Sequence, residues 1–206
     1  MSGTAVVTFD FSKLAVAART MAAAMPSPMS YLKMDKSGDW SYGAESDEVP
    51  AGTQFMVNPG SFQRGYIAWQ DTRQGQPAAK LDERMYSAFE DLPEVGDPPG
   101  GSRGWEAQFG FAMKAINGGT SLAGKELQFR ASSDGGKRAI AALMTEIAEG
   151  VQANPGKIPL IVLDNRSYKH ASYGKIYAPV FKIVKWVPLP RDDAEAKKVA
   201  PARKKK

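Results

Sequence analysis

The sequence predicts a mainly β chain with few helices: a β-barrel with one core helix between its third and fourth strands, preceded by an N-terminal helical arm. Three observations carry this. Trp105, Ala107, Phe109, Phe111, Met113 and Ala115 fall at every second position, the period of a half-buried strand. Ile140, Leu143, Met144, Ile147 and Val151 recur at helical spacing. Short apolar runs bounded by Gly, Pro, Asn and Asp fill much of the rest.

Residues 1–28 read as the arm. Ser12 caps a helix that runs through Ala-rich sequence to Met25, and Pro26 and Pro28 end it. Residues 29–190 form a single elaborated domain. Met29 to Asp35 is a strand, Lys36-Ser37-Gly38-Asp39 a turn, and Trp40-Ser41-Tyr42 the returning strand of a hairpin. Pro50-Ala51-Gly52 breaks the chain, Thr53 to Val57 is a strand, and Asn58-Pro59-Gly60 turns it. Gly65 to Trp69 is a further short strand. Residues 82–97 carry six Asp and Glu against Arg84, and Asp97-Pro98-Pro99-Gly100-Gly101-Ser102 continues neither helix nor strand, so 82–104 reads as an acidic loop.

The alternating strand follows, with Glu106, Gln108, Gly110 and Lys114 on its other face. Asn117-Gly118-Gly119 turns it, and Lys125 to Ser132 returns with Leu127 and Phe129 on one face and Glu126, Gln128 and Arg130 on the other. Ser133-Asp134-Gly135-Gly136 opens the helix, and Gly150 and Asn154-Pro155-Gly156 end it. Leu160 to Leu163 is a short buried strand, and a long final strand runs from about Lys175 to Val187. Residues 191–206 are a basic, low-complexity tail expected to be disordered. From 105 onward the order is strand, strand, helix, strand, strand, which is that of a five-stranded oligonucleotide-binding barrel whose first strand comes from 29–70.

Composition narrows the chemistry. The 206 residues include no cysteine, which excludes disulfides, thiolate zinc sites and cysteine nucleophiles. His170 is the only histidine, so a multi-histidine metal site is excluded. No paired-acid or nucleophile signature appears, and the expectation is a non-enzyme without cofactor or metal. No apolar run spans a membrane, and Asp10 and Lys13 interrupt any secretory leader, so a cytoplasmic setting is expected. The net charge of +5 is unevenly spread: residues 1–150 carry 14 Lys and Arg against 18 Asp and Glu, residues 151–206 carry 13 against 4. A basic C-terminal half is the footprint of a polyanion binder; the alternative is a solvated basic face with a solubilising tail.

Trp40-Ser41-Tyr42-Gly43, Val57-Asn58-Pro59, Gly65 to Trp69, Ser132 to Lys137 and Ser167-Tyr168-Lys169-His170 stand in this layout as they do in a known family. The chain resembles phage- and prophage-encoded single-stranded DNA-binding proteins built on an elaborated oligonucleotide-binding barrel. The resemblance implies a role in DNA replication or recombination inside a bacterial host cell. The chain departs from that family at its end: Arg203-Lys204-Lys205-Lys206 stands where many members carry an acidic tail that recruits replication partners.

Two segments carry most of the candidate binding residues. Ser132 to Arg138 is a glycine-rich helix start where free amides, Lys137 and Arg138 would hold a phosphate, or simply a capped helix end. It lacks the spacing of a nucleotide-binding loop. Arg166 to Tyr177 interleaves aromatics with cations between two strands. Tyr168 and Tyr173 would stack bases, Lys169 and Lys175 would meet phosphates, and His170 joins the candidates as a hydrogen-bonding surface residue; the plainer reading is a polar hairpin. Lys114, Arg130, Lys182 and Lys185 lie on strands whose alternate residues are apolar, and Lys114 and Arg130 complete the candidate set. Trp105 and Trp186 are expected in the core, Trp40 and Trp69 near the surface. Expected partners are single-stranded DNA or RNA, further copies of the chain, and replication or recombination proteins. A phage structural or assembly protein, or an accessory module of a nucleic-acid enzyme, are the alternative functions.

Overall fold

The computed structural model describes residues 29–72, 76–170 and 174–188, so the expected arm, the basic tail and Tyr173 lie outside the described residues, as does the side chain of His170. The described chain is mainly β. In order it forms β1 (Ser30–Met34), β2 (Trp40–Tyr42), β3 (Asp47–Glu48), β4 (Gln54–Val57), β5 (Gln63–Gln70), β6 (Lys80–Ser87), β7 (Ser102–Ala115), α1 (Gly119–Leu122), β8 (Glu126–Ala131), α2 (Asp134–Val151), β9 (Lys157–His170) and β10 (Gly174–Pro188). No described helix is long and apolar enough to cross a membrane.

All ten strands share one mixed sheet in the order β10-β9-β4-β7-β8-β1-β2-β3, with β5 on β7 and β6 on β5. Among the described residues only the β1–β8 pair is parallel: Leu32 lies beside Phe129. β7 is the axis. Along one flank it pairs first with β5 and then with β4, across the turn that Asn58 caps at Pro59–Ser61; on the other flank it pairs with β8.

The sheet is open among the described residues, since no ladder joins its two ends, and the expected closed barrel is corrected to a curled sheet. The physical reason lies at the seam. Where the β1–β2 turn meets β9, side chains bridge instead of backbone: Asn165 Nδ2 donates to the Gly38 carbonyl at 2.9 Å and Trp40 Nε1 to the Asp164 carbonyl at 3.3 Å. The concave side is filled by Phe111, Phe129 and Phe181, whose ring centroids lie 5.1–6.3 Å apart, with Trp40 tilted against two of them. Ile140, Leu143 and Ile147 of α2 seal this core, as the helical spacing predicts, while Val151 is exposed.

Several expectations are corrected. The acidic loop is shorter than 82–104: β6 takes residues 80–87 and β7 begins at Ser102. Strand-borne charges there are satisfied, Asp82 by Arg84 and Glu83 by Lys80 within the same strand, and Glu83 also by Arg130 of β8. β9 extends well past Leu163. The described residues of the Arg166 to Tyr177 stretch, 166–170 and 174–177, continue the β9–β10 ladder as a two-stranded ribbon, because the antiparallel register persists after the core ends. Trp40 packs on the core, contrary to its expected surface place, and Trp105 is only part-buried, beneath the Arg84 guanidinium at 5.0 Å. Gly150 does not end α2 but lies within it against Trp186.

Candidate nucleic-acid interface

A groove of about 1020 Å³ runs between three parts of the fold. The end of β1 and its turn, Leu32 to Lys36, make one wall. The end of β8 and the start of α2, Phe129 to Gly136, close one end. The β9–β10 ribbon supplies Tyr168, Lys175, Ile176, Tyr177 and Pro179. Leu32 and Phe129 are buried apolar residues, while Lys33, Lys36 and Lys175 are exposed at the margins. Apolar and aromatic side chains thus lie between cations, the mixture that bases and phosphates need.

Each wall has a local cause. Alternation on β1 turns Leu32 toward the core and leaves Lys33 outward. Asp35 fixes the following turn by accepting the Ser37 and Asp39 amides at 2.8 and 2.9 Å. Ser133 caps α2, its Oγ accepting the Gly136 amide at 3.3 Å. On the ribbon, Lys169 lies directly opposite Lys175, a like-charge pair that costs stability, and Lys175 Nζ sits 4.6 Å from the Tyr177 ring centroid.

The candidate residues divide. Arg130, Tyr168 and Lys175 line the groove together. Lys137 and Arg138 stand one step into α2, behind the groove's end, and Lys137 is tied to Asp134 at 3.2 Å. Lys169 is exposed on the ribbon, not in the groove lining. Lys114 lies elsewhere, on β7 opposite Glu126 and Met56. Lys182 pairs with Asp164; that hydrogen bond and the Asn165 amide hold the Asp164 carboxyl below the usual carboxylate range. Lys33, Lys36 and Tyr177 line the groove without standing among the candidates. The only sequence signal for the two lysines is their place at a strand end and turn, which becomes meaningful once β1 pairs with β8.

Arg130 is held in place. It crosses the sheet over Gly110, where a Cβ would come within 3.0 Å of its Cγ, and Nη1 meets Glu83 Oε2 at 2.5 Å. Burial pushes the Glu83 carboxyl up, but hydrogen bonds from Lys80 and Arg130, with their charges, outweigh it and hold the group below its ordinary value. On the same sheet face the Arg130 guanidinium lies 5.6 Å from the Tyr31 ring centroid. No match to a protein-family model, a curated protein or a solved structure was found.

Proposed function

We propose that the protein binds single-stranded nucleic acid without an enzymatic step, as a phage-type protein of DNA replication or recombination. The single observation behind this reading is the groove in which Lys33, Lys36 and Lys175 flank Tyr168, Tyr177 and an apolar floor. Phosphates would neutralise the cations while bases stack on the rings, giving affinity with little sequence preference. The curled sheet, with its helix between β8 and β9, is consistent with a distant elaboration of the oligonucleotide-binding barrel in which side chains stand in for the closing ladder.

Fluorescence anisotropy of a labelled oligonucleotide across a salt series tests the reading. The complex should weaken steeply with salt. Lys33→Ala and Lys175→Ala should each lower the slope of log affinity against log salt by about 0.7. Tyr168→Ala should cost about 1–3 kcal/mol with the slope unchanged. Absence of a retained complex at low salt overturns the proposal and favours a structural or assembly role.

A further inference from the structure

We infer that the interface continues out of the groove over β1, and that Tyr31 is a second base platform reached only by longer strands. The inference rests on the nucleic-acid reading above and extends its site. Tyr31 lies outside the groove lining and is 39% exposed, whereas its neighbour Leu32 is buried. Two cations link it to the groove. Lys33, two residues along β1, shares its sheet face by strand alternation and also lines the groove. Arg130 lines the groove from β8 and stands by the Tyr31 ring.

The pairing explains why the ring is presented rather than packed away. β1 and β8 are parallel, with Tyr31 beside Gln128, so Arg130 follows on the same face one step nearer the groove. Glu83 anchors the Arg130 guanidinium from β6, and Gly110 leaves room for the Arg130 side chain to pass over it. The Tyr31 ring is therefore steadied by a fixed planar cation while much of its surface stays open to water. An exposed aromatic steadied in this way can stack a base at low entropic cost, and Lys33 stands between it and the groove to meet the intervening phosphate.

The test is a length series of fluorescein-labelled oligothymidylate measured on the full chain at fixed salt. For wild type, affinity should rise with length and then gain a further step once the strand passes from the groove to Tyr31. Tyr31→Ala should leave the shortest oligonucleotides that bind unaffected, remove that step, and weaken long ones by about tenfold. Tyr31→Phe should keep the step, because the ring and not the hydroxyl stacks. Unchanged melting temperatures check that each variant is folded. Equal loss at every length, or no loss at any length, overturns the inference while the groove reading stands. No binding of any oligonucleotide by wild type overturns both.

Discussion

Glu83 and Arg130 show how one ion pair joins stability to the site. The pair spans from β6 to β8, and both side chains are largely buried, with relative accessibilities of 12% and 17%. Because the folded state holds the Glu83 carboxyl below its ordinary value, the pair's contribution is present above that value and is lost as pH falls through the lowered one. Glu83→Gln should therefore cost about 1–3 kcal/mol at neutral pH by leaving Arg130 with a poorer partner. It should also flatten the acid limb of a plot of melting temperature against pH. A variant that retains the wild-type acid limb would show that other carboxylates carry it.

At the scale of elements, α2 and the ribbon make opposite demands. Leu143 is 1% exposed beneath the sheet, so Leu143→Ala should cost about 2–5 kcal/mol in denaturant unfolding. Gly150 faces Trp186, and a Cβ there would lie 2.4 Å from the indole Cζ2. Gly150→Ala gains about 1 kcal/mol of helix propensity. The clash with a part-buried ring outweighs that gain, so the net effect should be destabilising by about 1 kcal/mol or more. On the ribbon the sign reverses: Lys169→Glu replaces a like-charge cross-strand pair with an attractive one and should stabilise by about 0.2–1 kcal/mol while weakening oligonucleotide binding. Unchanged stability together with unchanged binding would remove Lys169 from both accounts.

The elements legible in the sequence are those with local periodicity. β7 is visible through Phe109, Phe111 and Met113, and α2 through Ile140, Leu143 and Ile147, since each buries one face. β6 is hidden because Asp82, Glu83 and Arg84 look like loop residues until the contacts of Glu83 with Arg130 of β8 and of Arg84 with Trp105 of β7 are known. The outer ribbon is hidden for a related reason: Arg166 to Lys169 remain solvent-exposed, so no burial pattern marks them as strand. Arg130, Tyr168 and Lys175 are legible as site residues by type. Tyr177 lies in the same legible stretch though it is not named singly, whereas Lys33 and Lys36 are not legible, because only long-range pairing brings them to the same groove.

At the scale of the whole molecule, the seam between the β1–β2 turn and β9 holds the curl. Asn165→Ala removes the bond to the Gly38 carbonyl and should cost about 0.5–1.5 kcal/mol in unfolding experiments. Since Tyr177 also packs on this turn, the same change should loosen the groove and weaken oligonucleotide binding more than its stability cost suggests. Loss of stability with full binding would separate the seam from the site.

The parallel pairing of β1 with β8 has a consequence for how the protein is made. A ribosome releases Leu32 to Lys36 early and Tyr168 to Pro179 late, and the strand that must lie beside β1 emerges between them. Closing so long a loop delays the contact, whereas the β9–β10 ribbon needs only its neighbouring strand. During synthesis β1 therefore waits with its apolar face uncovered, and the groove is finished only after the last strand has emerged. A chain that has not yet released β10 has no complete binding surface to offer, since Lys175, Ile176, Tyr177 and Pro179 of the groove lie on that strand.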